Sequence, residues 1–343
     1  MNFSPFVKFL GQWGGYKFAQ RLTAYHPRML MYHRFTTPES DSRVLGVSAE
    51  RFEEQVAYIA RHHNPITVTE MIRGCFEGEK LPRHAIAITV DDGYEDFYRI
   101  AWPILRRYKV PATFYVTTGF VDGRLWLWPD QLSWILDNAR ASGISLRPFV
   151  NDGESVVPPS TNEEKQSLFS RLVGYLLHIP DEKKHAFLRA IAAQWEIHVP
   201  ESAPDWASPV TWAQLAEMQT EGLEVGGHTV THPSLSQVGL GQARNEIFGA
   251  RDALVANLGD RPRSFCYPNG TQEDFVAEQV PIIRQANFTG AVVAFADAQG
   301  QSQRYAMRRH SSSDNMFQFL KAVSGVEHLG HKLRNTRRST VYE

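Results

Sequence analysis

At 343 residues and 43% hydrophobic content, the chain can bury a full core, which excludes a disordered protein. Its 36 Lys and Arg against 37 Asp and Glu leave a net charge of −1, so nothing in the bulk charge points to a nucleic-acid partner. The two cysteines, Cys75 and Cys266, have neither C-x-x-C nor zinc-knuckle spacing and are expected to be unpaired core residues.

The chain opens with Phe3, Phe6, Val7, Leu10 and Trp13 at near-helical spacing, with Lys8, Lys17 and Arg21 among them, which predicts an N-terminal helical arm over 1–27. No run of about 18 apolar residues exists, and Lys8 interrupts the one apolar N-terminal stretch. Neither a transmembrane helix nor an ordinary signal peptide is expected, and a cytoplasmic location is the default. A basic tail over 325–343 carries Lys332, Arg334, Arg337 and Arg338. The first reading is an arm packed on its own domain and a solvated tail; the alternative is peripheral contact with the inner face of a membrane.

From residue 28, short apolar runs alternate with helical periodicity, the pattern of an α/β protein built on parallel strands. Arg28 to His33 reads as a first strand, and Ser48 as the cap of a helix burying Phe52, Val56 and Ile59. Ala85 to Val90 is a buried strand whose apolar run stops at Asp91, at the strand end where α/β folds place their ligands. A helix after Gly93 and a strand over Ala112 to Val116 follow. Between about 123 and 209 the texture changes: Trp126, Trp128 and Trp134 cluster, then Leu168, Leu172 and Leu176 take helical spacing. This predicts an inserted, mostly helical subdomain, with the tryptophans packing its core. The α/β rhythm then resumes: Thr211 caps a helix through Met218, and Leu223 to Gly226 forms a short strand. Strands over Ser264 to Tyr267, Gly290 to Phe295 and Tyr305 to Arg308 alternate with helices over Gln242 to Leu258 and Phe275 to Ala286. Without the insertion and the arm, roughly 230 residues remain, enough for one barrel spanning 28–324.

Two fragments carry chemistry. Asp91-Asp92-Gly93 places adjacent acids at a strand end, where one can bind a metal while its neighbour handles a proton. Taken alone, the same residues also describe a capped turn. His228 and His232 stand at i, i+4 after Gly226-Gly227 and before Pro233, which marks a loop rather than a long helix. A His pair at that spacing is often only structural, but two imidazoles and a carboxylate form the donor set of a catalytic divalent ion with an open position.

Thr89-Val90-Asp91-Asp92-Gly93-Tyr94 resembles the first motif of the polysaccharide deacetylases, and His228-Thr229-Val230-Thr231-His232 resembles the second. Met29-Leu30-Met31-Tyr32-His33 is similar to the opening strand of many members, and the resemblance covers roughly 28–125 and 208–324. It implies a distorted (β/α) barrel of about seven strands. Asp91 would be the catalytic base, with Asp92, His228 and His232 the ligands of one divalent metal. Zinc comes first, with cobalt, nickel, manganese and iron as alternatives. It further implies attack of a metal-bound water on the carbonyl of an N-acetylated sugar, releasing acetate and a free amine.

Phe265-Cys266-Tyr267-Pro268-Asn269-Gly270 is similar to the family's third motif but departs from it: Cys266 stands near the usual Arg, and Asn269 replaces an aromatic. Tyr267 and Asn269 are therefore the candidates for contacting the substrate and its oxyanion, the latter through its backbone N–H. Arg309 is the candidate partner of Asp91 in place of the missing Arg. His33 and His310 compete as donors of a proton to the leaving amine, each balanced against a merely structural role. The leading reading is thus N-deacetylation of an amino sugar in a glycan, glycolipid or polysaccharide precursor. Alternatives are removal of a formyl group, hydrolysis of a cyclic amide, or a non-catalytic glycan-binding protein. These motifs leave the oligomeric state open.

Overall fold

The computed structural model describes residues 14–139, 161–261 and 263–333, with the short strands Ile144–Ser145 and Ser155–Val156. The proposed helix over Phe3 to Trp13 and most of the basic tail lie outside the described residues. Among the described residues no helix is long and apolar enough to cross a membrane.

Seven strands build one parallel sheet: β1 (Arg28–Tyr32), β2 (Ala85–Val90), β3 (Thr113–Val116), β4 (Glu224–Gly227), β5 (Phe265–Cys266), β6 (Ala291–Val292) and β7 (His310–Ser311). Their spatial order is β6-β5-β4-β3-β2-β1-β7, with a short extra strand, Asn64–Pro65, pairing beside β2. Parallel neighbours force crossover connections, and the helices that make them cover the outside of the sheet. The sheet curls: Val293 N–H donates to the Met307 carbonyl at 2.9 Å and Arg309 N–H to that of Phe295 at 3.1 Å. These bonds draw the approach to β7 alongside β6 and bring the two edges of the sheet together. The expectation of a seven-stranded distorted (β/α) barrel is met.

Side chains alternate across this sheet, and the alternation decides what reaches the barrel interior. On β2, Ile86, Ile88 and Val90 pack outward with Phe52, Val56 and Phe97 in the main core. Ala85 and Ala87 face inward with Met29, Tyr115, Cys266 and Met307. Both faces of β2 are fully buried, which is why it reads as an uninterrupted apolar run.

The helical insertion contains α1 (Trp128–Asn138), α2 (Asn162–Leu176) and α3 (Asp181–Gln194). It has its own apolar cluster, built by Trp128, Leu132, Leu168, Leu172, Phe187 and Trp195. Trp126 and Trp128 are buried, as core packing requires, and Trp134 donates its indole N–H to the His198 carbonyl at 3.1 Å. Helix α2 starts on a reciprocal cap: the Thr161 hydroxyl accepts from Glu164 N–H while Glu164 accepts from Thr161 N–H. Cys75 and Cys266 are both free thiols.

Candidate metal centre and cleft

The inward parity of β2 carries one residue past its end to Asp91, whose side chain is only 2% exposed. Asp92 then turns away in the left-handed region (φ 80°), which Asp tolerates better than most residues. Gly93 follows at φ 105°, where a side chain would be strained. Two consecutive acids thus point in different directions: Asp91 still follows the strand, its N–H donating to the Tyr32 carbonyl at 3.0 Å, whereas the chain turns at Asp92.

The second fragment leaves β4 through Gly226 and Gly227. A Cβ at Gly226 would sit 2.4 Å from the Tyr115 ring, so only glycine lets β4 lie this close to β3. The His loop then takes left-handed turns at Thr229 and His232. Buried Glu246 holds it by accepting from Val230 N–H and Thr231 N–H, both at 2.8 Å, and from the Thr231 hydroxyl at 2.7 Å. No motif pointed to Glu246. Its one sequence signal is an acid on the inward face of an amphipathic helix, a position that otherwise holds Ala243, Ile247 and Ala250.

Asp92, His228 and His232 meet at one point. Asp92 Oδ1 lies 3.4 Å from His228 Nε2 and 3.3 Å from His232 Nε2, and the two imidazole nitrogens are 3.2 Å apart. A tetrahedral ion with bonds of about 2.0 to 2.1 Å holds its ligand atoms about 3.3 to 3.4 Å apart, so the three donors already have the required spacing. His228 Nδ1 is 2.8 Å from the Cys266 carbonyl, an acceptor that places the ring proton on Nδ1 and leaves the Nε2 lone pair facing the point of convergence. The residues present fit a divalent ion. A second cluster, Asp91, His228 and Cys266, also brings donor atoms close. It suits an ion poorly, because burial pushes the Cys266 thiol up and a guanidinium already occupies Asp91.

That guanidinium is Arg309. Its Nη1 and Nη2 donate to the two oxygens of Asp91, both at 2.7 Å, while Nε donates to the Val293 carbonyl at 2.9 Å and Nη1 to the Thr89 hydroxyl at 3.0 Å. Burial raises the Asp91 pKa, but the two-pronged contact with Arg309 outweighs it and holds the carboxyl below its ordinary range. Asp92 is partly buried, and its bonds to the two histidines outweigh that burial and hold it well below that range. Both acids are therefore ionised near neutral pH.

The structure separates the remaining candidates. His33 continues the inward parity of β1, and its Nε2 stands 3.8 Å from Asp91 Oδ2 with the ring half-exposed. His310 corrects the expectation of a site acid. Arg309 occupies the inward position of its strand, so His310 points outward, where Nδ1 is 3.0 Å from Glu327. Tyr267 is a correction of the same kind: inward Cys266 leaves it on the outer face, stacked on Phe275 at 4.1 Å and donating its hydroxyl to the Tyr305 carbonyl at 3.0 Å. Asn269, at φ 57°, does line the cleft.

The centre forms the floor of a cleft of about 820 Å³. One wall comes from the barrel, with His33, Arg34, Asp91, Asp92 and Asn269. The other comes from α1 and α2 of the insertion.

The family model for polysaccharide deacetylase matches residues 78–145 and 181–290, just over half of the chain. The chain belongs to the polysaccharide deacetylase family. Among curated proteins it is similar to the poly-beta-1,6-N-acetyl-D-glucosamine N-deacetylases of Escherichia coli K12 and Staphylococcus aureus MSSA476. The first is 28% identical over 94 residues, 27% of this chain and 14% of the relative. The second is 33% identical over 88 residues, 25% of this chain and 30% of the relative. Each match thus spans less than a third of the relative's length. Among solved structures it shares its fold with Streptococcus pyogenes deacetylase PplD in complex with acetate, at TM-score 0.56 and 19% identity over 87% of this chain and 98% of that one. The IcaB structure from Ammonifex degensii gives the same TM-score of 0.56 and identity of 19%, over 87% and 97% of the two chains.

Proposed function

We propose that the protein is a metal-dependent hydrolase that removes the N-acetyl group from an amino sugar of a glycan, glycolipid or polysaccharide precursor. The observation that carries this reading is the convergence of Asp92, His228 and His232 to mutual distances of 3.2 to 3.4 Å beside an ionised, Arg-held Asp91. The activity of the similar Escherichia coli and Staphylococcus aureus proteins, deacetylation of poly-beta-1,6-N-acetyl-D-glucosamine, supports the substrate class.

Asp92, His228 and His232 would hold one divalent ion, and a mixed nitrogen and carboxylate set suits zinc. Such an ion supplies Lewis acidity and makes water acidic enough to be deprotonated near neutral pH. The chain's own residues do the rest. Asp91 accepts the proton of the attacking water, and Arg309 fixes both of its oxygens so that it cannot rotate out of reach. The Asn269 backbone N–H, on a tight turn lining the cleft, donates to the oxygen that gains charge when the acetamide carbonyl is attacked. His33 delivers a proton to the departing amine nitrogen as its bond to the acyl carbon breaks. Acetate and a free amino sugar are the products.

Acetate release from N-acetylglucosamine oligomers, measured before and after treatment with a chelator and again after adding zinc, tests this reading. Activity lost with the chelator and restored by metal is expected. Chelator-insensitive release, or no acid released from any acylated amino sugar, would refute it.

A further inference from the structure

Helix α2 presents two faces at helical spacing. Leu168, Leu172 and Leu176 face the insertion's own core. Asn162, Lys165, Gln166 and Phe169, at i, i+3, i+4 and i+7, line the cleft that leads to the metal centre. All four fall between the two segments matched by the family model, which leaves out residues 146–180. The family match covers the α1 part of this wall and not the α2 part.

The charges on the cleft are already matched. Arg34 pairs with Asp96 at 2.5 Å, Arg43 with Asp41, and Lys165 with Asp137. Each cationic side chain among the described lining residues except the histidines therefore has a carboxylate against it, so none is left to bind a phosphate. Asp137 is held by both Lys165 and Arg43, whose Nε lies 3.7 Å from its Oδ2. Asn269 Nδ2, at the catalytic end, is buried with no hydrogen bond among the described residues. Buried polar atoms are normally satisfied, and this donor, together with the neutral amides of Asn162 and Gln166 on α2, suits a ligand rich in hydroxyls. Phe169 adds a half-buried aromatic surface for the C–H face of a sugar ring.

We propose that α2 builds a second subsite for an uncharged sugar ring, contacted by Asn162, Gln166 and Phe169, next to the ring whose acetamide lies at the metal centre. The subsite rests on the deacetylase reading and deepens it: the substrate is a neutral oligosaccharide of amino sugars rather than a monosaccharide or a nucleotide-linked sugar.

Asn162 and Gln166 are exposed, so the double variant N162A/Q166A tests the subsite without disturbing the core. Its kinetics are compared with those of the wild type on N-acetylglucosamine oligomers of increasing length, on a nucleotide-linked N-acetylglucosamine and on a simple aryl acetate that fills only the catalytic end. The wild type should favour oligomers over the monomer. In the variant, KM for the tetramer should rise about tenfold, the cost of two lost hydrogen bonds. Turnover of the aryl acetate should stay within about twofold of wild type, as the catalytic end is untouched. The variant F169L, which keeps an apolar side chain at that position, should raise the oligomer KM as well. A proportional loss on every substrate, an unchanged oligomer KM, or preference for the nucleotide-linked sugar would overturn the subsite. Calorimetric binding of the tetramer separates the two readings. A metal-loaded protein that binds the tetramer through α2 but releases no acid refutes the deacetylase reading alone, whereas turnover without α2-dependent binding refutes the subsite alone.

Discussion

The two walls of the cleft are built on opposite principles. On the barrel wall, Asp91 and Arg309 are almost completely buried, carried on strand ends, and tied to several partners each. On the insertion wall, Asn162 and Gln166 are exposed side chains on one face of a helix whose stability comes from its other face. A buried, fully bonded group can be neither lost nor moved cheaply, whereas an exposed helix face can change without loss of the fold. The contrast assigns bond-breaking to the barrel wall and choice of substrate to the insertion wall. Changes to the first should lower kcat; changes to the second should raise KM.

The largest expected effect comes from the metal ligands. His228→Ala removes one of three donors, and both metal content by elemental analysis and acetate release should fall, the latter at least about a thousandfold. A variant that keeps its metal would shift the centre away from this triad. Next is Arg309→Met, which leaves Asp91 buried without its cation; stability in denaturant should drop by about 3 to 5 kcal/mol and kcat by one to two orders of magnitude. An unchanged denaturation midpoint would show that the pair is not the keystone of the barrel wall.

Glu246→Ala should act more gently, because Glu246 touches no substrate and serves by holding the His loop. Metal affinity, followed by titration with a competing chelator, should fall about tenfold with little change in kcat for the loaded protein. A loss of kcat at full metal occupancy would place Glu246 closer to the chemistry than the geometry does.

The smallest effect is on pH-dependent stability. Burial lowers His26 to about 3 and His63 and His328 to about 4, from 6.5, and the His26 and His328 rings stack at 3.6 Å. The unfolded chain takes up these protons near 6.5 while the folded chain does not, so stability should decline as the pH falls from about 7 to 5. Asp96 and Asp130 oppose this: burial raises both to about 6 in spite of the Arg34 guanidinium they share, so the folded state takes up their protons first and gains stability over the same range. The His26→Phe/His63→Gln variant should lose the destabilising share and show a flatter, or even rising, melting temperature on acidification. A pH slope identical to wild type would remove the histidines from the account.

Most of the catalytic floor was legible in the sequence because its residues sit at strand ends announced by abrupt changes: an apolar run stopping at Asp91, and a glycine pair before His228. Arg309 was legible only by charge type, and Arg308 beside it offers the same charge; strand parity turns Arg309 to Asp91 and Arg308 to Asp297. His310 and Tyr267 misled for one physical reason. A strand's alternation is exact, but which parity faces inward depends on register with the neighbours, and a one-residue difference exchanges barrel interior for outer core. The insertion was legible as helices but not as a wall of the site. The spacing of Asn162, Lys165, Gln166 and Phe169 reads as an ordinary solvated face until α2 is packed against the barrel. Glu246 was invisible for a related reason, since its partners are backbone amides that carry no sequence signature.

In the proposed mechanism Asp91 and Asp92, adjacent in the chain, divide the work: one moves the proton and the other holds the ion. Asp91→Asn, assayed for metal content and acetate release on the same preparation, tests this division. Metal should bind as in the wild type while the rate falls at least about a thousandfold. Wild-type acetate release from the variant, or loss of the metal along with the rate, would refute the division.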